Sequence, residues 1–368
     1  MKKIGIISYN IYGNFTNYGS ALQSWALSKV LEKNNCEPVL IDYCPSIHLD
    51  KDILNPLEKM WDQDEDSIQN TKLSLPAIKE NYYKFESFFT NQFNRTRTKY
   101  NFKNFDEIKK ENLDGFICGS DTIFCIEESK GFDDGFFANY PIMQKKSIAY
   151  AASFGDTNLS NDDYLELNEK LKNFKAIGLR ENKMIEYISS NVNVPVHRTI
   201  DPTLLLEPSE YDIITSDRLI KDKYLLLYSR RYNSIMEKYA ENIAKKNGWK
   251  VVEISLRATN SNKGHIMMYN AGVEEFLSLV KNTEYVVTNS FHGLMFSVQF
   301  KKDFVIFSRQ TGDSKINDAL ELFDLSNHLF TEYKDELPHI TDYDRVHNRI
   351  RTSRNDSLTF LQKELDLL

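Results

Sequence analysis

Three segments within the first 43 residues decide the fold class: Ile4-Gly5-Ile6-Ile7-Ser8-Tyr9, a helix-spaced set at Leu22, Trp25, Ala26, Leu27, Val30 and Leu31, and Pro38-Val39-Leu40-Ile41-Asp42-Tyr43. The first and last are short apolar runs bounded by polar residues, which read as buried strands. The middle set repeats every three to four positions and predicts a helix over 19–33, after a polar loop at 10–18. Strand, helix, strand in that order is a βαβ unit, so the two strands lie parallel with a right-handed crossover between them.

The same alternation continues outward. Strands are predicted at 115–118, 147–152 and 176–179, with helices at 162–172 and 181–190, and Arg198 to Leu206 closes a first half. A polar stretch, Tyr211–Asp222, then precedes a second series. Its strands are expected at 224–228, 250–255, 285–288 and 304–306, and its helices at 235–247, 273–282 and 292–300. A last helix covers 345–367. Residues 46–110 are polar, aromatic and rich in Lys and Asn, and read as helices plus an insertion whose order the pattern does not give. The expected architecture is α/β, with two Rossmann-like domains facing a cleft. The N-terminal domain is taken as residues 1–210, the C-terminal domain as 211–344, and the terminal helix as 345–368.

Composition removes several classes. The net charge of -7 argues against a nucleic-acid binder. No run of about 18 apolar residues is present, so no membrane-spanning helix is expected. Met1-Lys2-Lys3 before an apolar run superficially resembles a secretion signal, but that run is too short and no small-residue cleavage site follows. The chain is therefore expected to be cytoplasmic. The four cysteines, Cys36, Cys44, Cys118 and Cys125, form no C-x-x-C pair and read as reduced thiols. The acidic run at 62–66 reads as a solvated loop. The four arginines of 345–354 read first as a solvated helix face, with contact to an anionic lipid surface as the alternative. There is no G-x-G-x-x-G after the first strand, no G-x-x-x-x-G-K-[ST] and no G-x-S-x-G, against a dinucleotide oxidoreductase, a P-loop kinase and an α/β-hydrolase.

Ligands of open parallel sheets bind beyond the carboxyl ends of the strands. The residues there are Asn17, Tyr18, Gly19 and Ser20, then Gly119, Ser120 and Asp121, then Ser153 to Gly155, then Arg180 and Glu181. From the second half come Ser229, Arg230 and Arg231, then Asn289, Ser290, Phe291, His292 and Gly293, and finally Arg309 with Gln310–Lys315. Arginine forks and helix-start N–H groups suit an anionic ligand. His292 opens a helix directly after a strand, which favours a functional role. His48, His197, His265, His328, His339 and His347 have no metal-ligand spacing and read as structural or exposed.

With those residues in place, the chain resembles the polysaccharide pyruvyl transferase family. The resemblance rests on Asn17-Tyr18-Gly19-Ser20-Ala21-Leu22-Gln23 with Ala26-Leu27, Gly119-Ser120-Asp121, Tyr150 to Gly155, Leu179-Arg180-Glu181, Asp201 to Leu206, and Thr288 to Gly293, in that order. It implies an architecture similar to GT-B glycosyltransferases, with the last helix crossing back to the first domain. It also implies phosphoenolpyruvate as co-substrate, a cyclic pyruvate ketal formed on a sugar diol, and released phosphate. His292 and Arg180 match family positions that contact the donor. Some members carry an R-L-H pattern where this chain has Ser290 two residues before the histidine, so another cation must take that role. Arg230, Arg231, Arg309 and Lys315 are the candidates, and the choice stays open.

The expected roles follow. His292 is the acid, and Asp121 orients or deprotonates an acceptor hydroxyl. Arg180, Asn289 and Ser290 hold the donor with one or more of the four cations. Asn17, Tyr18, Gly19, Gly119 and Ser120 hold the acceptor, expected to be a lipid-linked sugar at the inner membrane face. No cofactor, metal or nucleic acid is expected. A nucleotide-sugar glycosyltransferase and a non-catalytic glycan- or anion-binding member are the competing readings.

Overall fold

The structure, a computed structural model, describes all residues except 10, 11, 13–16, 59, 61, 311 and 312. The loop at 10–18 and the segment Gln310–Lys315, both marked from sequence, therefore fall partly outside the described residues. Two six-stranded sheets succeed one another along the chain, and every strand pairing within them is parallel.

The first sheet contains β1 (Lys2–Ile7), β2 (Cys36–Leu40), β3 (Gly115–Cys118), β4 (Ser147–Ala152), β5 (Phe174–Leu179) and β6 (Val196–Arg198), in the order β2-β1-β3-β4-β5-β6. Its helices are α1 (Tyr18–Lys33), α2 (Glu65–Gln92), the single turn α3 (Ile126–Ser129), α4 (Asn161–Leu171) and α5 (Ile185–Asn191). The second sheet uses β7 (Tyr224–Tyr228), β8 (Lys250–Ile254), β9 (Ile266–Met267), β10 (Tyr285–Thr288), β11 (Phe304–Phe307) and β12 (Leu329–Phe330), in the order β12-β11-β10-β7-β8-β9. With it come α6 (Ser234–Asn247), α7 (Val273–Asn282), α8 (Phe291–Gln299), α9 (Ser314–Phe323) and the long α10 (Tyr343–Leu367). β4 and β7 are buried along their whole length, as uninterrupted apolar runs covered on both faces should be. Strand order reverses between β1 and β3 in one sheet and between β7 and β10 in the other, and crevices form beyond such reversals.

α1 holds the halves together. It is buried on nearly every side, which fits a helix apolar all round rather than along one stripe. Tyr18 stacks on Phe276 of α7 with centroids 4.4 Å apart and donates its hydroxyl to the Ala271 carbonyl at 3.0 Å. Trp25 packs on Tyr211, which meets Phe296 of α8. Side chains from both sheets and from α1 thus form one continuous apolar cluster.

The 46–110 region, left unordered by the sequence pattern, is a second brace. α2 runs 28 residues through Pro76 and starts on an Asp64 cap. Phe85, Phe88 and Phe89 enter the shared core. Its polar side grips the second half: Lys84 pairs with Glu275 at 2.8 Å, Asp66 with Arg257 at 2.5 Å, and Asn70 accepts from the Thr259 hydroxyl at 2.7 Å.

α10 begins on the second half and ends on the first. Tyr343 donates to Asp303 at 3.1 Å and His347 contacts the Val298 carbonyl at 3.0 Å. Farther along, Ser357 accepts from the Ile200 amide at 3.0 Å and Lys2 reaches the Leu365 carbonyl at 2.7 Å. Its arginines are engaged within the chain. Arg345 pairs with Asp324, Arg349 caps α9 through the Leu322 carbonyl, and Arg351 donates to Asn348. Arg354 is buried, bonding the carbonyls of Leu204 and Leu206 and pairing with Glu207. Among the described residues, no helix is long and apolar enough to cross a membrane.

Candidate functional site

A cavity of about 380 Å³ lies where the carboxyl ends of the two sheets face each other. Its second-half wall is built from strand ends and helix starts. Arg230 and Arg231 follow β7, Ser290, Phe291 and His292 begin α8, Arg309 follows β11, and Lys315 lies in the first turn of α9. Its first-half wall carries Tyr9, Asn17, Asp121, Thr122, Glu127, Glu128 and Lys130. His48, Lys51 and Glu58, from the segment leading into α2, also face it.

His292 is fixed by local sequence. The Ser290 hydroxyl accepts from the Gly293 amide at 3.3 Å and caps α8. The ring then packs against the start of α1, where a Cβ on residue 19 would lie 1.8 Å from its Nδ1. Gly19 is thus required by close approach, and the two halves touch at the catalytic candidate. Gly293 is needed for a similar reason, since a Cβ there would meet the Thr288 hydroxyl at 2.6 Å.

On its other edge, His292 Nε2 lies 3.5 Å from Asp201 Oδ2. The same oxygen accepts from Arg180 Nη1 at 2.8 Å, while Oδ1 accepts from the Thr203 amide at 3.0 Å and its hydroxyl at 2.7 Å. Arg180 Nη2 lies 3.6 Å from Asp121 Oδ1, and the guanidinium stacks 4.4 Å over the Phe291 ring. Arg180, Asp201, Asp121 and His292 are all buried. Lys315 Nζ sits 5.8 Å from the centre of the same Phe291 ring.

Electrostatics follow from this crowding. Burial pushes the Asp201 carboxyl up, but His292, Arg180 and the Thr203 hydrogen bond outweigh it and hold the group well below the usual carboxylate range. Asp121 is likewise raised by burial yet held low overall by Lys315, Arg180 and His292, against Asp201. Lys315 is pushed down by burial and by Arg180, with Asp121 pulling the other way. Glu181, bonded to the Ser153 hydroxyl, is raised by burial.

The expected site residues separate into two groups. Asp121, Asn17, Ser290, His292, Arg230, Arg231, Arg309 and Lys315 line one cavity. The others lie behind it. Tyr18 is wholly buried in the core between the halves, with its hydroxyl on Ala271, because α1 is apolar all round. Asn289 uses its amide on the β7 turn, accepting from the Arg230 N–H at 2.8 Å and donating to the Arg231 carbonyl at 2.7 Å. Ser120 is buried, its hydroxyl donating to the Ala151 carbonyl at 2.8 Å and its N–H donating to Gln23 Oε1 at 2.9 Å. Gly119 holds φ 128° where a Cβ would lie 2.3 Å from the Tyr150 carbonyl oxygen, so it shapes the turn beneath Asp121. Arg180 stands behind Phe291, tied to Asp201.

Sequence reasoning missed Asp201, Tyr9, Thr122, Glu128 and the 46–60 wall. Asp201 sat inside a segment already singled out, and reading a strand end at Arg198 would have exposed it. Glu128 accepts from the Thr122 hydroxyl at 2.6 Å, and Tyr9 is buried with no hydrogen-bond partner for its hydroxyl among the described residues. Burial and Glu128 together raise that phenol. Among the described residues no group of side chains is arranged to hold a metal ion.

Two facing Rossmann-like sheets, a terminal helix crossing between them, and a charged cavity at both strand-order reversals define a protein of GT-B-like fold. The polysaccharide pyruvyl transferase family model matches residues 17–311, and the chain belongs to that family. No curated protein matches the chain. Among solved structures it is similar to the Staphylococcus aureus MnaA–UDP co-structure, at 13% identity and TM-score 0.50, covering 95% of this chain and 87% of that one. It is also similar to UDP-N-acetylglucosamine 2-epimerase from Rickettsia bellii, at 11% identity and TM-score 0.51, with 100% and 98% covered. The UDP-GlcNAc 2-epimerase of Methanocaldococcus jannaschii gives 12% identity and TM-score 0.51, with 96% and 93% covered. These likenesses concern the fold.

Proposed function

We propose that the chain transfers pyruvate from phosphoenolpyruvate to two hydroxyls of a sugar, forming a cyclic ketal and releasing phosphate. The observation that carries this reading is the asymmetry of the cavity walls. Every ionisable side chain that the second half contributes among the described residues is a cation or His292, whereas the carboxylates Glu58, Asp121, Glu127 and Glu128 all come from the first, beside Lys51, Lys130, Thr122 and Tyr9. A small dianionic donor suits the first of these walls and a polyhydroxylated acceptor the second. Family membership supports the same donor and acceptor classes.

The steps balance without any external oxidant or reductant. His292 gives a proton to C3 of the enol, and C2 becomes electrophilic. One sugar hydroxyl adds to C2 and loses its proton back to the imidazole. The C2–O bond to phosphate then breaks, the second hydroxyl adds, and its proton leaves with the phosphate. Arg230, Arg231, Arg309 and Lys315 balance the carboxylate and the departing phosphate. Acid assistance of this kind typically contributes about 10²–10⁴ in rate. Asp121, held low by three cations, is a weak base. Glu128, with one oxygen on Thr122, is a second cavity carboxylate able to receive an acceptor hydroxyl.

The test is direct. Phosphoenolpyruvate alone should raise the melting temperature, and phosphate should be released when a pyranoside with a free 4,6-diol is added. Stronger stabilisation by UDP than by phosphoenolpyruvate would move the assignment to a nucleotide-sugar enzyme. Stabilisation without phosphate release across a panel of pyranose diols would favour a non-catalytic binder.

A further inference from the structure

We propose that Asp201 is a positioning residue that orients the His292 ring and sets its tautomer from across the junction of the two halves. The inference rests on the reading of His292 as the proton donor. Asp201 belongs to the first half, three residues past β6, whereas His292 opens α8 of the second. Its carboxylate is fully buried and fixed from several directions. Thr203 takes Oδ1 through both its amide and its hydroxyl, Arg180 takes Oδ2, and Pro202 follows directly. His292 Nε2 lies 3.5 Å from Oδ2 and has no hydrogen-bond partner among the described residues.

The opposite edge of the ring is backed by Gly19, whose missing side chain is the only reason the ring fits. Held between Gly19 and Asp201, the imidazole has one orientation. The charged groups around it are Asp201, Asp121 and Arg180 of the first half and Lys315 of α9. α1 presents no charge here, and α8 itself adds only the Phe291 ring, 5.2 Å away. Asp201 is the carboxylate within ion-pair distance. A carboxylate beside Nε2 favours the tautomer with its proton there, so Nδ1, the nitrogen on the Gly19 side, is the one left to exchange a proton with a ligand. Because the carboxylate and the ring come from different halves, the acid is complete only with the halves docked as they are here.

The experiment uses the full chain labelled with ¹⁵N-histidine, with His292→Gln serving only to assign the resonances. In the wild type, neutral His292 should carry its proton on Nε2, toward Asp201. Asp201→Asn keeps the shape and the acceptor for Thr203 but removes the charge. It should shift the neutral ring's proton population from Nε2 toward Nδ1, read in the ¹⁵N chemical shifts of the two ring nitrogens. kcat should fall about tenfold or more, while KM for phosphoenolpyruvate changes less than about threefold. Unchanged ring ¹⁵N shifts in Asp201→Asn, or a change in KM alone, overturns the proposal. If Asp201→Asn does not fold, the wild-type tautomer and Thr203→Val decide. Neutral His292 protonated on Nδ1 overturns the proposal, as does a Thr203→Val protein with unchanged ring resonances. Absence of phosphate release from the wild type would defeat the reading of the reaction instead, and the resonances would still report whether the Asp201–His292 coupling exists.

Discussion

The two walls of the cavity use the same residue types for opposite ends. In the first half, Arg180, Asp121 and Asp201 neutralise one another inside the protein, with separations of 2.8 and 3.6 Å. In the second half, Arg230, Arg231, Arg309 and Lys315 line the cavity itself, and Asp313, which lies 3.7 Å from Arg309, is not among the lining residues. Arg180 is tied to Asp201 through Nη1, while its buried Nε and Nη2 have no hydrogen-bond partner among the described residues. A cationic set at helix starts and strand ends binds an anion. Whether an arginine at a strand end acts as a ligand group or a strut is tested by removing it.

The largest effect expected from breaking this division is at His292. His292→Ala should lower turnover about a hundredfold or more, because the proton donor to the enol carbon is lost. Stabilisation by phosphoenolpyruvate should persist, since the four cations remain. Near wild-type phosphate release from this variant would remove the acid assignment.

Gly19→Ala comes next and probes the junction between the walls. The new methyl would overlap the His292 ring, so the ring must move by about the size of a methyl group. Misplacement by about 1 Å can cost a hundredfold in rate. Thermal stability should fall by only a small amount, as α1 is otherwise unchanged. Retention of full turnover would mean that the ring position at Gly19 does not matter for the chemistry.

Much of this division was legible beforehand. The βαβ pattern of residues 4–43 and the strand-end rule brought Asp121, His292 and the four second-half cations to one place, because helix and strand periodicity is local information. The split between struts and ligand groups was not legible. It depends on Asp201, 21 residues from Arg180 in sequence and 91 from His292, and on which face of a strand end meets the other half. Tyr18 was misplaced for a related reason. Its neighbours mark it as a loop residue, whereas only the docking of α7 shows that Phe276 covers it. The wall at 46–60 lies in a polar segment without periodicity, and its position is set by α2 gripping the second half.

Arg180 and Arg309 offer a paired test of strut against ligand group. Arg180→Ala leaves Asp201 and Asp121 buried without their partner, a change worth about 3–5 kcal/mol of stability, so a large fall in Tm is expected. Arg309→Ala should leave Tm nearly unchanged and weaken phosphoenolpyruvate binding by about 1.5–3 kcal/mol, roughly ten- to a hundredfold in Kd. The comparison fails if Arg180→Ala alters donor affinity alone, with wild-type stability, or if Arg309→Ala destabilises the fold without touching affinity.

The smallest effect is a pH dependence carried by Lys315. Burial and the neighbouring Arg180 hold this ammonium below the ordinary lysine value, and Asp121 only partly restores it. A dianion arriving in the cavity favours the charged amine and moves that value back up. The sign then follows. Below the lowered value the lysine is charged with and without ligand, and affinity does not depend on its titration. Between the lowered value and the bound one, binding must take up a proton, so affinity falls as pH rises. The loss should approach tenfold per pH unit at most and should begin below the ordinary lysine range near 10.4. Calorimetric titration with phosphoenolpyruvate in two buffers of different ionisation enthalpy measures the proton uptake directly. Lys315→Met should abolish that uptake and flatten the alkaline fall, while Lys51→Met, on the first-half wall, should leave both in place. Equal proton uptake in the wild type and Lys315→Met would show that the donor anion does not sit against the second half.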